Sequence, residues 1–131
     1  DNFKRFNDTY GHDAGDSLLR ELGRLLLGKL RKSDISCRYG GEEFVLVLPD
    51  SSAADAKQRM EQIRGQIKDL KIPHGEQILS ALSASAGVAQ ADDHTANPSE
   101  LLRAADTALY AAKNAGRDRV IVYQAKPSRN R

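Results

Sequence analysis

Four groups of residues in this chain have types and spacings that could do chemistry. The first is Gly40-Gly41-Glu42-Glu43, two adjacent carboxylates behind two glycines, with Arg38-Tyr39 before them and Phe44 after. Glycines let backbone lie close to a ligand, and paired carboxylates can hold a hard divalent cation. The second runs from Lys4 to Asp16 and sets Asn7, Asp8, His12 and Asp16 around Gly11 and Gly15. An Asn amide and a carboxylate together match a guanine edge: the amide meets N3 or O6, and the carboxylate accepts from N1–H and the exocyclic amine. Consecutive backbone N–H groups near Phe3 and Lys4 could cradle phosphates. The third is Lys113 and Arg117, followed by Asp118 and Arg119, around a helix end where cations suit triphosphate oxygens. The fourth, Arg31-Lys32-Ser33-Asp34, ends a long helix with five residues between Asp34 and Gly40, and could grip a guanine and a phosphate. Each group has a plainer reading: a solvated turn, helix capping by Asp13 or Asp16, cations drawn to a helix dipole, a surface ion pair of little value. In isolation the plain readings win, and what sets them aside is the joint occurrence of all four in one chain.

These groups need elements to position them. The apolar run Phe44 to Leu48 and the strand-like Ile35 to Tyr39 predict a β-hairpin whose turn carries the two acids. Asn2 to Asp8 reads as a turn or one helical turn holding Phe3 and Phe6, and Tyr10 to Asp13 as a loop. A helix is predicted from about Asp13 to Arg31, with Leu18, Leu22, Leu25, Leu26 and Leu30 on its core face and Leu19 and Leu27 widening the stripe. A second helix, about 54 to 69, buries Ala56, Met60, Ile63 and Ile67, with Leu70 just beyond. Ile78 to Val88 reads as one strand, 92 to 97 as a polar loop, and Pro98 as the start of a third helix. That helix buries Leu101, Leu102, Ala105, Ala108, Leu109 and Ala112, with Gly116 as its cap, and Val120 to Tyr123 is a last strand. The order predicts an α+β domain, a single mixed sheet packed with helices.

Composition narrows the function classes. The 131 residues suit one domain, and a net charge of +2 gives no general argument for binding polyanions. Three Phe, four Tyr and no Trp leave little for a platform that stacks single-stranded nucleic acid, and DNA is not expected as a partner. The lone Cys37 excludes an intrachain disulfide, fits a reducing compartment, and is expected to be a small buried thiol. There is no signal peptide or membrane-length apolar run, which points to a cytoplasmic domain whose parent protein could still be membrane-anchored. The opening Asp1 without a Met and the basic tail 124–131, expected to be disordered, read as a domain cut from a longer protein.

Taken together, the spacings resemble the GGDEF family, the diguanylate cyclases of bacterial signalling. The likeness runs from Asp1 to about Tyr123 and rests on four segments. These are Asp1-x-Phe3-Lys4-x-x-Asn7-Asp8-x-x-Gly11-His12-x-x-Gly15-Asp16, Arg38 to Phe44, Ser83-x-Ser85-x-Gly87-Val88, and Ala105-Asp106-x-Ala108-Leu109-Tyr110-x-Ala112-Lys113-x-x-Gly116-Arg117. The signature here is the GGEEF variant. The resemblance implies a ferredoxin-like palm core and condensation of two GTP into cyclic di-GMP with release of two pyrophosphates. It implies Mg²⁺ or Mn²⁺ as cofactor and a homodimer in which each subunit presents one GTP. It gives Glu42 and Glu43 the metal, with Glu42 also at the attacking hydroxyl, and Gly40 and Gly41 close approach to the nucleotide. Asn7 and Asp16 would read guanine, while Lys4, Lys113, Arg117 and the N–H groups of Phe3 and Lys4 would hold phosphates. Arg31 and Asp34 match an RxxD inhibitory site for cyclic di-GMP, and a sensor or receiver domain is expected upstream. The family's first strand, with a metal-binding Asp two residues ahead of Asp1, is not in this sequence, so residues 1–131 alone are expected to make little product. The alternative is a GGDEF-like module that binds GTP or cyclic di-GMP without turnover. Asp118 stands where many relatives carry Asn.

Overall fold

The computed structural model describes residues 1–40, 42–79, 82–91 and 97–124. The chain opens with Asn2 in a left-handed conformation (φ 58°) and helix α1, Phe3–Tyr10, which is longer than the single turn expected. Gly11, at φ 94°, breaks it from α2, His12–Lys29, so the predicted loop shrinks to one glycine, the residue type that takes this φ most readily. Strands β1, Ile35–Arg38, and β2, Phe44–Val47, follow, then α3, Ala53–Lys68, capped by Ser52 accepting from the Asp55 N–H at 3.1 Å. Next come β3, Ile72–His74, β4, Gln77–Leu79, β5, Ala86–Val88, α4, Pro98–Asn114, and β6, Val120–Val122. Asn97 caps α4 through the Ser99 N–H, with Pro98 in the first turn. Its far end is a Schellman closure: Gly116 N–H bonds Lys113 O and Arg117 N–H bonds Ala112 O. Ala115 is therefore the cap, and Gly116 follows it at φ 119°.

The mixed helix-and-strand class is as expected, but the strands do not form one sheet. They pair as β1 with β2 and β3 with β4, both antiparallel, and β5 with β6 in parallel. A parallel pair needs a long crossover, and α4 supplies it, lying directly on β5. The contact is backbone on backbone: a Cβ on Gly87 would sit 2.2 Å from Ala105 O. Among the described residues no strand joins the three pairs. The single strand expected over 78–88 divides because Leu79 pairs back toward Ile72, whereas Ala86 pairs forward to Val120.

Two clusters of buried side chains hold the helices to the strands. Ala14, Ile72 and Leu79 form one, and Leu26, Ile63 and Ile67 the other, with Phe44, Leu46 and Met60 packed against the second. Ala104, absent from the predicted core face, is buried beside Ala108 and Ala112. Leu19 is buried but Leu27 is 69 % exposed, so α2 is covered on one side only at its C-terminal end. Cys37 is exposed rather than buried, because it shares the outer face of the hairpin with Ile35 and Val47, while Phe44 and Leu46 point to the core. No helix among the described residues is long and apolar enough to cross a membrane.

Candidate active site

The hairpin delivers the two acids as the sequence predicts. Arg38 pairs with Phe44, and the turn closes through Tyr39 N–H donating to Glu43 O at 2.7 Å. The Arg38 Nε–H donates to Gly40 O at 3.2 Å, while Gly41 lies outside the described residues. Glu42 is exposed, and Glu43 is half-buried with Oε1 3.9 Å from Lys113 Nζ. The first and third groups, 70 positions apart in the chain, thus meet. Burial lowers the pKa of the Asp1 ammonium, Glu42 opposes that shift, and Lys113 and Arg117 add to it. Among the described residues no three His, Cys, Asp or Glu side chains converge. The donor set fits a hard cation of the Mg²⁺ type nonetheless, since such ions are usually held by one or two carboxylates plus substrate phosphates and water.

The second group is arranged by Gly15. A Cβ there would lie 1.7 Å from Asn7 Oδ1, so only glycine lets the Asn7 amide lie across α2. That Oδ1 is buried without a hydrogen-bond partner. Asp16, one residue on, is exposed and lines a cavity of about 320 Å³ with Leu19, Arg20, Arg38 and Phe44. Neither Asp13 nor Asp16 caps α2, whose cap is Gly11 with no side-chain bond, so the capping reading fails. The side chain of Asn2 makes no cap on α1 either, and the first turn holds no acid, which leaves Phe3 and Lys4 N–H without a side-chain acceptor there.

Arg31 and Asp34 are more than a surface pair. The Asp34 side chain is 0 % exposed, and its Oδ2 accepts from the Arg31 N–H at 2.8 Å and from Arg59 Nη2 at 2.8 Å. The Arg31 N–H, foremost, and then Arg59 hold the Asp34 carboxyl below the usual carboxylate range. The Arg31 guanidinium reaches Ser51 Oγ at 2.6 Å. Asp34 Oδ1 and Arg59 Nη1 are both buried without partners. The sequence reading missed Arg59, which comes from another helix and carries no local signal.

It also missed a group around Asp1. Asp1 accepts from Ser83 Oγ, Ser85 Oγ and the Asp118 N–H. The Asp118 carboxylate binds Arg64 Nη1 at 2.8 Å and also binds Lys68, so the turn after α4 is tied to α3. The i, i+2 spacing of the serines was the available signal, since it puts two hydroxyls on one side of an extended segment.

Comparisons with known proteins find relatives of this chain. The model of the family described as "Diguanylate cyclase, GGDEF domain" matches residues 1–119. The chain is 42 % identical over 123 residues to the response regulator PleD of Caulobacter vibrioides, covering 92 % of this chain and 27 % of PleD, so it spans about a quarter of that relative. It resembles the GGDEF domain of DgcB from Caulobacter crescentus, solved in complex with c-di-GMP, with TM-score 0.88 and 33 % identity over 95 % of this chain and 74 % of that one. It also resembles the active GGEEF domain of a diguanylate cyclase from Vibrio cholerae, with TM-score 0.84 and 32 % identity over 96 % of this chain and 79 % of that one. With its family model matched over residues 1–119 and its glycine-acid hairpin in place, the chain belongs to the GGDEF domain family of diguanylate cyclases.

Proposed function

We propose that the chain is a catalytic domain that condenses two GTP into cyclic di-GMP. The observation that carries this reading is the 3.9 Å approach of Glu43 to Lys113, which brings the glycine-acid turn against the cationic end of α4. Asn7 and Asp16 read the guanine, with Asp16 at the mouth of the cavity beside Arg38. Lys4, Lys113, Arg117 and the first N–H groups of α1 hold the β- and γ-phosphates. The ribose 3′-oxygen of one GTP forms a bond to the α-phosphorus of the other, the α–β bridging bond breaks, and pyrophosphate leaves; the second closure repeats this. Glu42 accepts the hydroxyl proton, and Gly40 gives the turn a side without a Cβ. Glu42 and Glu43 would hold Mg²⁺ or Mn²⁺, whose chemistry is to neutralise the triphosphate and acidify the hydroxyl. Two subunits, each presenting one GTP, complete the reaction.

The reading includes product inhibition at Arg31 and Asp34. Arg31, with more than half of its side chain exposed, is the group a product guanine or phosphate can reach, and the buried Asp34 carboxylate holds the Arg31 backbone through its N–H.

The test is synthesis of cyclic di-GMP from GTP and Mg²⁺ by a chain extended upstream of Asp1. Glu42→Ala should lower it at least about a hundredfold; activity near wild type would remove Glu42 from the site. Nucleotide binding with no turnover by the unsubstituted extended chain would make the domain a binding module instead. Arg31→Ala should raise the cyclic di-GMP concentration that half-inhibits by about tenfold, the weight of one charge-assisted contact. Unchanged inhibition would place the product elsewhere.

A further inference from the structure

The Ser83-x-Ser85 pair takes no part in the chemistry above, yet both hydroxyls are committed. Ser83 Oγ donates to Asp1 Oδ2 at 2.9 Å and Ser85 Oγ to Asp1 Oδ1 at 2.7 Å. The Asp1 ammonium returns a bond to Ser83 O at 2.9 Å. The Asp118 N–H is shared between Asp1 Oδ2 and Ser85 Oγ, both at 3.1 Å. Three segments distant in sequence therefore meet at one carboxylate: the entry to α1, the approach to β5, and the turn after α4.

That turn needs holding. Gly116, Arg117 and Asp118 all have positive φ, at 119°, 63° and 51°. The left-handed region is disfavoured for residues with a Cβ and persists where surrounding contacts impose it. Here the contacts are the Asp118 N–H on Asp1 and Ser85, and the Asp118 carboxylate on Arg64 and Lys68. Arg117 is the middle residue of this imposed turn. Across the knot, Asp1 is two residues from Phe3, where the uncapped N–H groups of α1 begin.

We infer that Asp1, Ser83, Ser85 and Asp118 form a positioning knot that fixes the spacing between two grips on a triphosphate, the N–H groups of Phe3 and Lys4 on one side and Arg117 on the other. The inference rests on the GTP reading above. No hydrogen bond or ion pair links the four to the guanine readers among the described residues: Asn7 packs over Gly15, and Asp16 sits on α2. Loosening the knot therefore costs affinity for the phosphate chain and spares the base.

The experiment is calorimetric titration of the 131-residue chain with GTP and with GMP in Mg²⁺ buffer. Ser85→Ala should weaken GTP about tenfold, as expected for removing one hydrogen bond to a charged group, while GMP changes by less than about twofold. Ser85→Thr, which keeps the hydroxyl, should keep the preference for GTP. A Ser85→Ala chain with an undiminished preference overturns the knot, as does loss of both nucleotides in equal measure, or Ser85→Thr behaving as Ser85→Ala. Ser83→Ala carries the same expectation and decides the matter if Ser85→Ala does not fold. A wild-type chain that binds neither nucleotide overturns the GTP reading itself, an outcome distinct from all of these.

Discussion

Gly15 is a residue whose side chain is supplied by another residue: the Asn7 amide fills the space where its Cβ would be, 1.7 Å from Oδ1. Gly15→Ala must push Asn7 off α2, and overpacking of this kind costs about 1–3 kcal/mol. The expected result is a lower melting temperature together with weaker discrimination of GTP from ATP, read by thermal denaturation and competitive titration. A variant that melts lower but discriminates as before would separate Asn7 from base recognition. The acids of the hairpin could be read from the sequence because their type and spacing are local. The partners of Asp1 could not. Ser83 and Ser85 lie 82 and 84 positions from it, and nothing in a serine's neighbours says where its hydroxyl will point. Cys37 misled for the related reason that a strand's period does not say which of its faces meets the core.

At the scale of elements, α3 is the common tie. Arg59 reaches Asp34 near the end of α2, and Arg64 and Lys68 reach Asp118 after α4. Lys68, foremost, and Arg64 hold the Asp118 carboxyl below its usual range, as the Arg31 N–H and Arg59 do for Asp34. A carboxylate whose folded pKa is depressed lends stability that is fully present above its unfolded pKa, near 4, and is lost as pH falls through the folded value. The melting temperature should therefore drop as pH is taken below about 4. Asp118→Asn should melt lower than wild type at neutral pH and show a shallower acid decline; a decline parallel to wild type would mean that the ion pairs on α3 add nothing to stability. The three longer helices were legible to within a residue or two, because α2, α3 and α4 each show an apolar stripe at the 3.6-residue period. The short strands were not. Three residues such as Ala86–Val88 become a strand only through a partner more than thirty positions away, and no local pattern divides β4 from β5.

Across the whole molecule, the proposed site takes one GTP per chain, with Asp16 lining a cavity of about 320 Å³ and Lys113 beside Glu43 at the hairpin tip, whereas the proposed product joins two GTP. The Glu42 side of this tip is exposed, as a second nucleotide brought by another subunit would require. If each subunit holds one GTP, the species that turns over is the dimer, and below its dissociation constant the dimer concentration rises as the square of total protein. Specific activity of the upstream-extended chain should then rise in proportion to protein concentration when dilute and level off once dimers predominate. Half-saturation should fall where light scattering or sedimentation finds half the protein dimeric. Mixing an inactive Glu42→Ala chain into wild type at a concentration where dimers predominate should lower activity through mixed dimers, in a ratio set by the dimer equilibrium rather than by simple dilution. Specific activity that is flat over a thousandfold range of concentration, in a chain that sediments as a monomer throughout, would show that one subunit closes both phosphodiester bonds by itself and would remove the two-subunit site from the mechanism.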